Sequence, residues 1–122
     1  MVPSKKEKPM KDYLAITKDI SAGLKEWRQY TPDAQAGFSA LAKGAMTPGA
    51  LDEKTKELIA LALGVAAHCD GCLGFHTQAL VRLGATEAEV AEALAVAVYM
   101  GGGPNLMYAG DAMTAFKQAK AA

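Results

Sequence analysis

A chain of 122 residues accommodates one domain with a core of its own and leaves little for a second. Thirteen basic and thirteen acidic residues cancel, so there is no global positive field to attract nucleic acid or an anionic membrane surface. Residues are 51% hydrophobic but only 7% aromatic, so small aliphatic side chains must do most of the packing, and thin alanine-rich helix faces predict burial against partner subunits.

Residues 1–9 hold Pro3, Pro9 and the lysines Lys5, Lys6 and Lys8, and read as a flexible tail ahead of a helical domain over 10–122. Lys11 extends this basic cluster, which reads as a solvated terminus. No apolar stretch follows the lysines as a secretory signal would require. No uninterrupted apolar run reaches the roughly 18 residues of a membrane span. From Met10 to about Tyr30, the residues Tyr13, Ile16, Ile20, Leu24 and Trp27 recur at helical spacing and predict one buried stripe. Thr31-Pro32 opens a second helix to about Ala42, with Phe38 and Leu41 inward. Gly44 to Gly49 reads as a loop.

Asp52 is placed to cap a third helix whose inner face is Leu58, Leu61, Ala62, Val65 and Ala66. Ile59 and Leu63 widen that face, which predicts burial on most sides. Asp70-Gly71 permits a turn, and helical spacing resumes through Leu73, Ala79, Leu80 and Leu83 up to a cap at Gly84. Thr86 and Glu89 form a capping box for the next helix, with Val90, Leu94, Ala97 and Val98 inside. Gly101-Gly102-Gly103-Pro104 stops it, and a last helix runs from about Pro104 to Ala119 with Leu106, Met107, Met113 and Phe116 as its apolar candidates. The fold class is all-α, a single-domain bundle of about six helices.

Both cysteines and one of two histidines fall within Cys69-Asp70-Gly71-Cys72-Leu73-Gly74-Phe75-His76. A C-x-x-C pair without a secretory signal points to a reducing, cytoplasmic setting, where it is catalytic or metal-binding rather than a staple. With a helix starting near Asp70, Cys69 is its N-cap and Cys72 lies in its first turn, where unpaired N–H groups and the helix dipole favour a thiolate. His76 follows Cys72 by one turn on the same face and can take or stabilise the thiol proton. Glu57 is the natural fourth member if the third and fourth helices form an antiparallel hairpin. At about 1.5 Å per residue, Glu57 lies roughly 18 Å before Cys69 and His76 roughly 10 Å after it, a mismatch of about 8 Å.

Other readings compete. His68, Cys69, Cys72 and His76 are nominally a zinc set, but all four lie within nine residues, and adjacent positions 68 and 69 converge poorly on one ion. Glu57 could be a solvated carboxylate and His76 an ordinary polar core residue, while His68 suits the end of the third helix. Met100, Met107, Met113, Tyr99 and Tyr108 read as core or subunit interface.

Glu57, eleven intervening residues, Cys69-x-x-Cys72, three more and His76 form a pattern that resembles the alkyl hydroperoxidase D-like group of the carboxymuconolactone decarboxylase superfamily. The run from His68 to Thr77 and the Gly101–Pro104 segment share in that similarity, which covers about residues 45–115. The resemblance implies an all-α bundle assembling as a homotrimer or homohexamer. It further implies reduction of a small-molecule hydroperoxide; no cofactor or metal is expected. By that resemblance Cys72 is the attacking thiolate, Cys69 the resolving thiol, and His76 with Glu57 the proton relay. A dithiol, on a lipoylated or thioredoxin-like protein, returns the electrons. The well-characterised peroxidases of the group carry a histidine directly before the second cysteine, where this chain has Gly71. Two alternatives are a carboxymuconolactone decarboxylase-like enzyme and an oligomeric binding protein with a vestigial cysteine pair.

Overall fold

The computed structural model describes residues 11–122; the expected tail over 1–9 and the start of the first helix at Met10 lie outside the described residues. Six helices follow in order: α1 (Tyr13–Tyr30), α2 (Pro32–Met46), α3 (Glu53–Ala66), α4 (Asp70–Arg82), α5 (Glu87–Gly101) and α6 (Gly103–Ala121). Among the described residues there is no strand, so the all-α, six-helix expectation holds.

Local chemistry sets the helix starts. Asp12 caps α1, accepting from the N–H groups of Leu14 and Ala15, and Asp52 caps α3 through the Thr55 N–H at 2.8 Å. Thr86 and Glu89 satisfy each other's backbone at the start of α5. Thr31 occupies the N-cap of α2, but its hydroxyl turns back and donates to the Trp27 carbonyl at 3.2 Å. The α5–α6 break falls at Gly102, whose φ of 72° suits glycine. The buried Asn105 amide spans that break and donates to the Ala97 carbonyl at 2.8 Å.

The core gathers Leu61 and Val65 of α3, Leu73 and Leu80 of α4, Val90 and Leu94 of α5, and Phe116 of α6. Each such side chain contributes about 1.5–3 kcal/mol by leaving water. Helix α4 lies at the centre of the bundle, packed against α1, α3 and α6, while α5 closes the far side against α3 and α6.

Three expectations fail at the surface. Helix α2 continues past Gly44 to Met46, and none of its residues is buried; Phe38 and Leu41 are each 67% exposed rather than inward. The α1 stripe is buried only at its beginning, by Tyr13 and Thr17, while Leu24 and Trp27 face solvent. Helix α3 is not covered on most sides, since Ile59 and Leu63 are exposed. Periodicity identifies an apolar stripe but not the element that covers it, and among the described residues of the chain nothing covers these. On α6, Phe116 is buried and Met113 packs against the core, but Leu106 and Met107 are exposed. Among the described residues no helix is long and apolar enough to cross a membrane.

Candidate active site

The α3–α4 hairpin carries the predicted residues as two pairs, Cys69 with Cys72 and Glu57 with His76. Cys69 is the N-cap of α4; its sulfur accepts the Cys72 N–H at 3.2 Å and is bonded to the Cys72 sulfur, with the two Cα atoms 5.2 Å apart. Both cysteines are half-buried at the start of α4, where the unpaired N–H groups of the first turn favour negative charge on sulfur once the bond is reduced.

Glu57 is not a solvated carboxylate. It is 7% exposed and accepts a hydrogen bond from His76 Nδ1 at 2.6 Å. A carboxylate can only accept, so Nδ1 carries the proton and Nε2 is left free to exchange one. The His76 side chain retains 30% of its exposure, which keeps the ring within reach of solvent.

The 8 Å mismatch expected from counting residues shrinks because the two helices meet above the turn. A Cβ on Gly64 would come within 2.9 Å of Cys72 Cβ, so the lack of a side chain there is what lets α3 and α4 close at that level. Counted from this contact, Glu57 lies about 10.5 Å back and His76 about 6 Å ahead, leaving about 4.5 Å for the two side chains to span. Among the described residues no group of three or more His, Cys, Asp or Glu is placed to hold a metal ion.

Gly71 has a definite neighbour. A Cβ at that position would lie 2.6 Å from Ile20 Cδ1, so α1 fills the space into which a side chain at 71 would project. A histidine there would have to displace the end of Ile20. The spacing of Ile20 marked it as apolar but could not show that it packs onto the cysteine turn.

A polar cluster adjoins the cysteines on the α6 side. Lys11, read from the sequence as part of a solvated terminus, instead bridges Asp70 Oδ1 at 3.1 Å and Asp111 Oδ2 at 3.0 Å. Its ammonium is held above the ordinary lysine range, chiefly by the hydrogen bond to Asp111 and further by that to Asp70. Tyr13 lies close by, its hydroxyl buried without a hydrogen-bond partner among the described residues and pushed up to about 12 first by burial and then by the Asp111 charge. His68 stacks on Tyr108, ring centroids 4.6 Å apart and planes within 10° of parallel. Lys11 and Tyr108 carried no local signal, because their partners lie far away in the chain.

The fold has counterparts among known proteins. The sequence pattern of the Carboxymuconolactone decarboxylase family matches residues 32–115, more than half of the chain. The crystal structure of an apo protein of that family from Legionella pneumophila superposes with a TM-score of 0.87 at 55% identity, covering 88% of this chain and 96% of that one. A Thermotoga maritima structure superposes with a TM-score of 0.67 at 30% identity, covering 73% of this chain and 80% of that one. An uncharacterized protein of Cupriavidus necator is 44% identical over 88 residues, covering 72% of this chain and 78% of its own length. The uncharacterized protein 4 of the cox locus of Paracoccus denitrificans is 36% identical over 93 residues, covering 76% of this chain and 84% of its own length. With its six-helix bundle and matched pattern, the chain belongs to the carboxymuconolactone decarboxylase family.

Proposed function

We propose that the protein is a dithiol–disulfide oxidoreductase that reduces hydroperoxides at the expense of an external dithiol. The observation that carries this reading is the C-x-x-C disulfide at the N-terminus of a helix that, one turn on, holds His76 hydrogen-bonded to the buried Glu57. In the proposed cycle the Cys72 thiolate attacks the terminal peroxide oxygen, the O–O bond breaks, and the departing alkoxide takes a proton. His76 accepts the Cys72 proton at Nε2 and Glu57 stabilises the imidazolium that results. Cys69 then attacks the Cys72 sulfenic acid, water leaves, and the disulfide forms. Two electrons from a dithiol, such as a lipoylated or thioredoxin-like protein, reopen it. The reducing cytoplasm is the compartment in which that recharging proceeds.

A second reading, a decarboxylase-like enzyme, is favoured by the family pattern itself. It makes no use of the sulfurs, so its activity survives their loss. A binding protein with a vestigial pair would show no peroxide-dependent disulfide. The deciding experiment supplies the reduced protein with organic hydroperoxide and with dithiothreitol, dihydrolipoamide or thioredoxin as donor. Peroxide-dependent thiol oxidation with multiple turnovers is the expected result; no consumption above the protein-free rate with any donor rejects the reading.

We also propose assembly as a homotrimer or homohexamer. Support comes from Tyr30, Phe38, Leu41, Tyr99 and Met100, all largely exposed in the single chain. Isolated helices of about 15 residues are marginal in water, so α2 needs a neighbour to cover it. Light scattering at micromolar concentration should return three or six times the 12.7 kDa chain mass; a monomer would refute it.

A further inference from the structure

Helices α3 and α4 end in the same hydrogen-bond pattern, but with different residues at its critical position. After α4, the Gly84 N–H donates to Val81 O and the Ala85 N–H to Leu80 O, with Gly84 at φ 77°. After α3, the His68 N–H donates to Val65 O and the Cys69 N–H to Gly64 O, with His68 at φ 53°. This left-handed position favours glycine, because a Cβ there crowds the neighbouring carbonyl. His68 is the one described non-glycine residue with positive φ, and it immediately precedes Cys69. Such backbone persists where its surroundings hold it.

The surroundings here are on α6 and at the start of α1. The His68 ring stacks on Tyr108 of α6. Lys11 Nζ lies 5.0 Å from the centre of the same Tyr108 ring and joins Asp70, on the other side of Cys69, to Asp111 of α6. Lys11 is itself fixed: Gln118 of α6 donates to its carbonyl at 3.1 Å and accepts the Tyr13 N–H at 2.8 Å. Both neighbours of Cys69 are therefore tied to α6, one by a ring stack and the other by an ion bridge.

We propose that the His68–Tyr108 stack and the Lys11 bridge clamp the backbone on either side of Cys69, holding it ready to close on Cys72 and so setting how strongly the pair favours the disulfide. His68, Tyr108 and Lys11 are positioning residues; none is a nucleophile or a proton donor in the cycle. Ordering Cys69 in advance removes a cost that ring closure would otherwise bear. The stack carries more of the effect than the bridge, because the Lys11, Asp70 and Asp111 side chains are all more than a third exposed and screened by water. This inference rests on the reading of the pair as a redox couple, but not on hydroperoxide as its substrate.

The test equilibrates the full chain with reduced and oxidised glutathione, then traps free thiols and counts them by mass spectrometry. Two glutathione thiols supply two electrons, the Cys69–Cys72 bond opens to two thiols, and one glutathione disulfide forms. Tyr108→Ala and His68→Asn should each shift the equilibrium toward the dithiol by about tenfold, and the double variant no further than either alone. Asparagine tolerates positive φ, so His68→Asn removes the ring while keeping the turn. Tyr108→Phe retains the stack and should stay within about twofold of the wild type, and Lys11→Met should shift in the same direction by less than Tyr108→Ala. The clamp is overturned if His68→Asn leaves the equilibrium within about twofold of the wild type, or if Tyr108→Phe shifts it as far as Tyr108→Ala. Should Tyr108→Ala fail to fold, His68→Asn and Lys11→Met decide the matter. A wild type inert to peroxide, with clamp-dependent glutathione equilibrium, rejects the hydroperoxide reading alone; active wild type with clamp-independent equilibrium rejects the clamp alone.

Discussion

Cys72→Ser should lose hydroperoxide turnover completely with every thiol donor, while Cys69→Ser should complete the first reduction and then stall. A serine hydroxyl is not ionised near neutral pH and does not attack the O–O bond, whereas the first-turn N–H groups of α4 favour the anion of a cysteine at position 72. Without Cys69, the sulfenic acid on Cys72 has no internal thiol to condense with. It persists as a single added oxygen or as a mixed disulfide with the donor. Intact-protein mass spectrometry after one equivalent of peroxide distinguishes the two variants directly. Undiminished turnover in both would defeat the dithiol cycle, and a lactone decarboxylation that survived both substitutions would favour the second reading.

Glu57→Gln should slow peroxide consumption by about 100-fold while the protein remains folded, a loss typical of an impaired general acid–base group. Glutamine keeps an acceptor for His76 Nδ1 but removes the negative charge that stabilises a protonated ring. Glu57→Ala should produce a similar loss of rate and also lower stability by about 1–3 kcal/mol, because it leaves the imidazole N–H beside a buried site without its partner. Stopped-flow peroxide consumption reads the first effect and urea unfolding at fixed protein concentration the second. If Glu57→Gln retained the wild-type rate, the pair would be structural and His76 would not depend on it for proton transfer.

The residues differ in how far the sequence reveals them. Helix starts were legible because caps are local: Asp52 and Thr86 act on N–H groups within three residues of themselves. The core stripes of α4 and α5 were legible for the same reason, since Leu73, Leu80, Val90 and Leu94 recur at the period of a helix. The C-x-x-C pair with His76 one turn later declared a site, and the resemblance attached Glu57 to it.

What the chain order could not contain was the distance between elements. Residue counting left Glu57 and His76 with about 8 Å to span; the close approach at Gly64 resolves it, and that contact depends on how two helices pack. The stripes on α1, α2 and α3 are apolar as their spacing indicates, yet Trp27, Phe38 and Leu63 are exposed because none of the described elements reaches them. Ile20 filling the space beside Gly71, and Lys11 joining residues 59 and 100 positions away, are long-range packing outcomes. The helices and the C-x-x-C turn with His76 one turn later were legible in the sequence, because each depends on neighbours within a turn or two. The pairing of Glu57 with His76, the packing against Gly71 and the positive-φ backbone before Cys69 emerge with the packed bundle, because each depends on groups brought together from different elements.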